Sequence, residues 1–198
     1  MVSHSSIHTI LYAVGIVLAI LTWTLSAGIV ADYNDAFSYV SGTFNAANAT
    51  LAWGLISMLY YIAALAILFF VSSYNPAVCI IADTCCIGFL WIFGIGSVGS
   101  LSTVISWFRV ASDYGLTFGG VGQAAVAFGW LLVFLQLGTL LYEVIFTLVH
   151  YGGSLDVWRQ SFHDITTTGT RVVRGEKGPQ PGLNMATNDV PLQTAPQV

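Results

Sequence analysis

Asp83 and Glu143 are the residues of this chain best suited to chemistry, because of where they lie. Each interrupts a long apolar stretch that is otherwise free of charge. An ionisable side chain within a membrane is costly, at about 2.5–3.5 kcal/mol for Asp at a helix centre on insertion scales, so it calls for a functional explanation. No Lys or Arg occurs in the same stretches, so neither carboxyl has a basic partner of that kind there. Three roles are open. Protonated, either group can donate to Tyr12, Thr84 or a backbone carbonyl and tie helices together. Together they can form a proton or cation site. They can also sense a cationic or polar lipid headgroup. Tyr12 is the candidate partner for both.

The remaining reactive side chains carry weaker signals. His4 and His8 are spaced i, i+4, which can place two ligands on one helix face. Both fall at or before the membrane edge, while His150 and His163 fall at or beyond the other end of the helical core. Histidine ligands of a haem or metal would be expected within a bundle, and the sequence places none there. No metal or cofactor is expected. Cys79, Cys85 and Cys86 cluster at one end of an apolar stretch with no metal-ligand spacing. They are either small packing residues or candidates for S-palmitoylation, with Cys79 best placed for the latter. Asn48-Ala49-Thr50 is a glycosylation sequon or a chance tripeptide. No Ser-His-Asp arrangement, phosphate-binding Gly-rich loop or zinc motif appears, so the chain reads as a non-enzyme.

The elements that must position these residues follow from composition. Hydrophobic residues make up 56% of the 198 residues and charged residues 7%. Soluble domains carry about 25% charged residues. Five basic and nine acidic side chains cannot cover a soluble protein of this size. With a mean hydropathy of +0.79, the composition excludes a cytosolic enzyme, a disordered chain and a nucleic-acid binder. A hydrocarbon core about 30 Å thick needs roughly 20 apolar residues in a helix. Four stretches qualify: residues 7–31, 51–71, 78–107 and 121–149. They are too long and too uniformly apolar for barrel strands. The first is too long for the core of a signal peptide and lacks a basic lead, so it reads as a retained helix. The fold class is all-α integral membrane, a bundle of four transmembrane helices.

Orientation follows from the basic residues, which favour the cytoplasmic side. Arg159, Arg171, Arg174 and Lys177 all follow the fourth stretch. Both termini are therefore expected in the cytoplasm, with loops 32–50 and 108–120 outside. The inner loop 72–77 makes helices two and three a hairpin. Asp83 and Glu143 then fall at a similar inner depth. Tyr33, Tyr39, Trp53, Trp107 and Tyr114 suit the outer interface, and Tyr74 and Tyr151 the inner one. Small residues let helices approach closely in lipid. Gly96-xxx-Ser100 and Ala125-xxx-Gly129 carry that pattern, either for packing within the bundle or for self-association. The membrane domain spans residues 1–153. In residues 154–166, Leu155, Trp158, Phe162 and Ile165 recur at helical spacing, as an amphipathic helix on the inner leaflet or an extension of helix four. Residues 167–198 are rich in Thr, Pro, Gln, Asn and Gly and are expected to be disordered.

This layout of four helices, short inner loop and polar tail resembles the MARVEL family. Two segments are similar to its fungal branch, which includes the non-classical-export proteins of plasma-membrane microdomains. One is Ile81-Ala82-Asp83 through Phe89-Leu90-Trp91 to Gly99, similar to that branch's third helix with its early aspartate. The other is Gln123-Ala124-Ala125-Val126-Ala127-Phe128, similar to the start of its fourth. The terminal Gln197-Val198 also resembles tails in that branch. The resemblance implies a non-enzymatic organiser of lipid microdomains or membrane traffic, resident in the plasma membrane. Its implied partners are sterol- or sphingolipid-rich lipid, membrane or cytoplasmic scaffold proteins, and further copies of the chain. The outer loops lack the cysteines of some relatives, so no loop disulfide carries over. Claudin-like and tetraspanin patterns are absent. The alternative is a small transporter or ion-channel subunit that uses Asp83 and Glu143. No proline lies within any span, which counts against that alternative.

Overall fold

The computed structural model describes residues 4–36, 44–70, 79–152 and 155–159. They form helices α1 (His4–Ala36), α2 (Asn45–Phe70), α3 (Ile80–Ser102), α4 (Ile105–Asp113), α5 (Thr117–His150) and α6 (Leu155–Trp158). Four of them, over Ser6–Asp35, Asn45–Phe69, Ile80–Ser102 and Thr117–His150, are long and apolar enough to cross a membrane. Backbone groups in lipid have no water to bond, so a helix that satisfies its own ladder is the stable form. The chain is an all-α integral membrane protein with a four-helix bundle. At 1.5 Å per residue, the 34 residues of α5 span about 50 Å, more than the hydrocarbon thickness requires.

Helix α1 packs on α2 and α5, and α3 packs on the same two. The bundle is thus a square with α1 and α3 on one diagonal. Its centre is filled by large side chains, among them Trp53, Tyr61, Leu132 and Val98. Glycines make room for them. A Cβ on Gly94 would stand 2.5 Å from Trp53 Cζ2, and one on Gly15 would stand 2.8 Å from Tyr61 Cε2. Trp53 is fully buried and its Nε1–H donates to the Leu90 carbonyl at 2.8 Å. It is therefore a core residue rather than an interfacial one, because Gly94 leaves a slot for the indole.

The third span is shorter than the expected 78–107 and ends at Ser102. Hydroxyl side chains cluster at the stop. Ser102 Oγ donates to the Val98 carbonyl at 2.8 Å and Thr103 Oγ1 to the Ser100 carbonyl at 2.8 Å. Such bonds compete with the helical ladder. The backbone tightens there, with Val104 N–H bonding Leu101 O at 3.3 Å. Most of the expected loop 108–120 is helical instead. Helix α4 is amphipathic, burying Phe108 and Ala111 and exposing Arg109 and Asp113. Gly115, at φ +74°, turns the chain into α5. Around this end Tyr33, Phe44, Trp107 and Phe118 form a chain of ring contacts, with centroids 5.2–6.3 Å apart.

At the opposite end α5 stops at His150. Gly152 adopts φ +83° and its N–H bonds Thr147 O at 3.1 Å, a glycine helix stop. The following residues are therefore no continuation of α5. Val157 of the short α6 is buried against Ile80 and Phe146, and Trp158 of the expected apolar stripe packs, partly buried, against the same cluster, so this segment docks on the bundle. Phe162, Ile165, the tail 167–198, Tyr39 and Tyr74 lie outside the described residues.

Candidate functional site

The site lies where α1 and α3 begin and α5 nears its end. On α1, His8 and Tyr12 are one turn apart and share a face; their ring centroids are 4.2 Å apart. On α3, Asp83 and Thr84 fall in the first turns, where Asp83 N–H bonds Cys79 O at 3.1 Å. An acidic residue at that position also suits the positive end of the helix dipole. Helix α5 contributes Glu143, which is 1% exposed, and α2 contributes Tyr60.

These six side chains close on one another. His8 Nε2 is 2.8 Å from Glu143 Oε1 and 3.7 Å from Asp83 Oδ2. The Tyr12 hydroxyl donates to Asp83 Oδ2 and lies 3.3 Å from Glu143 Oε1. The Tyr60 hydroxyl donates to Asp83 Oδ1. Thr84 Oγ1 is 3.5 Å from Glu143 Oε2, a long hydrogen bond. Each carboxylate thus has an inner oxygen, facing His8 and Tyr12, and an outer oxygen held by a hydroxyl from another position. The two carboxyls reach the same depth, as the topology required, and Tyr12 bridges them across the diagonal of the square.

His8 corrects the expectation that no histidine lies within the bundle. Helix α1 starts at His4 rather than Ile7, so position 8 falls inside the span; its side chain is 4% exposed. The carboxyls therefore have an imidazole as partner, although their spans contain no Lys or Arg. The i, i+4 relation of His8 to Tyr12 was the available signal. For Tyr60 no such signal exists, since its role depends on the placement of α2 against α3.

The other candidate residues stand apart from this cluster. Cys79 is half-buried, Cys85 and Cys86 are exposed on the outside of α3, and all three are free thiols. Asn48 is exposed within the first turns of α2, while the Thr50 hydroxyl of the same sequon is buried and donates to Ala46 O at 2.9 Å. The two small-residue pairs behave differently. Ala125 is fully buried, and a Cβ on Gly129 would meet Val98 Cγ2 at 2.8 Å, so this pair serves packing within the bundle. Gly96 and Ser100 are exposed, and a Cβ on Gly96 would meet nothing within 4 Å. That pair takes no part in packing the described bundle; Gly94, one step round the helix, fills that role.

The cluster can hold a proton or a cation between its inner atoms. It offers no activated nucleophile. Against protein-family models, curated proteins and solved structures, the chain finds no match.

Proposed function

We propose that this protein is a non-enzymatic organiser of a lipid microdomain or of membrane traffic. It resides in the plasma membrane with both termini in the cytoplasm, as the resemblance to the MARVEL family and the placement of basic residues imply. The observation that carries the reading is the division between a filled interior and a rough apolar exterior. The bundle centre is occupied by Trp53, Tyr61 and Leu132, whereas Phe69, Phe89, Ile92 and Phe134 project outward at 62–67% exposure. Bulky outward side chains and, on α3, the open Gly96 and exposed Ser100 give lipid, or a second copy, an uneven surface to pack against. No bond is made or broken; the work is association with sterol- or sphingolipid-rich lipid and with scaffold proteins.

The test is imaging of the full chain with a C-terminal fluorescent tag in its own cell, with recovery after bleaching. Stable surface patches that recover slowly are expected. A uniform, rapidly recovering signal, or one on internal membranes, overturns the reading.

The His8–Asp83–Glu143 cluster favours a second reading, a small transporter or channel subunit. Reconstituted protein that is impermeable to ions at every pH eliminates it.

A further inference from the structure

We propose that His8, Asp83 and Glu143 form a binding site for one divalent transition-metal ion, of the Zn²⁺ or Mn²⁺ type. This goes beyond the organising role and does not depend on it.

The argument starts from donor geometry. One ligand atom from each of the three residues lies within 4.8 Å of the others. The pairs through His8 Nε2 measure 2.8 and 3.7 Å. Nitrogen and oxygen ligands about 2.1 Å from a shared Zn²⁺ stand roughly 3.4 Å apart in a tetrahedron. The observed spacings straddle that value, so small side-chain rotations place an ion at their centre. The Tyr12 hydroxyl, against both inner oxygens, lies beside the three donors.

The surroundings fit the same assignment. Metal-binding carboxylates are usually oriented by hydrogen bonds to their other oxygen. Here Tyr60 holds Asp83 Oδ1 and Thr84 approaches Glu143 Oε2, which leaves Oδ2 and Oε1 aimed inward. Charge is the second constraint. Two ionised carboxylates within a span that contains no Lys or Arg are expensive to bury. A divalent ion cancels both charges while His8 stays neutral, and it replaces the hydrogen between His8 and Glu143. The Asp83 side chain is 20% exposed, so the cluster is not fully enclosed by the described residues.

The donor set also selects the ion. One imidazole with two carboxylates suits Zn²⁺ and Mn²⁺, whereas Ca²⁺ and Mg²⁺ prefer oxygen alone. Spacings this short leave no room for the ammonium group of a lipid headgroup between the donors.

The test uses full-length protein in detergent with Cys79, Cys85 and Cys86 changed to Ser, which removes thiolate ligands, and His4 and His163 changed to Ala. After equilibration with Zn²⁺ or Mn²⁺ and dialysis, metal is counted per chain. One ion per chain is expected. His8→Ala and Glu143→Gln are each expected to weaken binding at least tenfold, while Gly96→Ala leaves it unchanged. X-ray absorption of the Zn²⁺ form needs no site variant and is expected to show one nitrogen and otherwise oxygen ligands. No retained metal overturns the proposal. So does full retention by folded His8→Ala protein, or a spectrum with two or more imidazoles.

Discussion

His8 Nε2 lies 2.8 Å from Glu143 Oε1, across 135 residues of sequence. The contact joins the first helix to the last long one and places an imidazole against a carboxyl where both are almost completely buried. Removing one member takes away a close polar contact of the other in a medium that solvates it poorly. Glu143→Ala is therefore expected to cost about 3–5 kcal/mol, by analogy with broken buried pairs. Glu143→Gln, which retains the shape and a hydrogen bond, is expected to cost less than half as much. Thermal unfolding in detergent, followed by circular dichroism, distinguishes the two. Equal losses would mean that the bond to His8 contributes little.

Gly94 and Gly96 lie on the same helix and make opposite predictions. A methyl group at position 94 runs into the Trp53 indole, whereas one at position 96 meets open space. Gly94→Ala is expected to cost about 1–3 kcal/mol through overpacking. Gly96→Ala is expected to be neutral or slightly stabilising, since alanine is the better helix former. Denaturant titration of both variants checks the contrast. A destabilised Gly96→Ala would mean that this face is packed rather than open.

The Gln136 side chain donates to Ser57 Oγ at 3.2 Å in the buried middle of the bundle. Interhelical hydrogen bonds in membranes average only about 0.6 kcal/mol in double-mutant cycles. A cycle of Gln136→Leu and Ser57→Ala is expected to return a coupling near that value, well below the loss from Glu143→Ala. A coupling of several kcal/mol would make this bond, rather than the His8 cluster, the main polar tie.

The acidic layer can also be tested against the organising role. Asp83→Asn combined with Glu143→Gln keeps the side-chain shapes and removes the capacity to ionise. If the layer reports lipid state, the double variant is expected to lose the sterol dependence of its surface distribution while still reaching the membrane. Distribution that follows sterol content as in the unaltered chain would sink the sensing idea.

The four spans were legible because residues apolar on every side, over more than 20 positions, have one stable form in lipid. The meeting of Asp83, Glu143 and Tyr12 was legible too, from the depths that an even number of crossings imposes. Besides Tyr60 and the core position of Trp53, three features escaped. His8 was assigned to the edge because the apolar stretch begins at Ile7, although a helix can start a turn earlier with polar residues. Helix α4 was merged partly into the third span and partly into a loop, since Ile105, Trp107 and Phe108 continue the hydropathy past the hydroxyl-rich stop at Ser102 and Thr103. The Gly96–Ser100 pair has the same local pattern as Ala125–Gly129. The rotation of α3, with Gly94 against Trp53, turns Gly96 and Ser100 outward, while the rotation of α5 brings Gly129 against Val98.

The placement of α4 has a consequence for traffic through the molecule. Phe108 is fully enclosed among Leu101, Phe118 and Ala125, and the α4 backbone is so close to α5 that a Cβ on Gly119 would stand 2.3 Å from Ser112 N. Among the described residues, α4 thus closes the bundle at the end remote from the Asp83–Glu143 cluster. A path for ions past that end would require α4 to separate from α5, and the ring contacts that Phe108 makes with Phe44 and Trp107 would part with it.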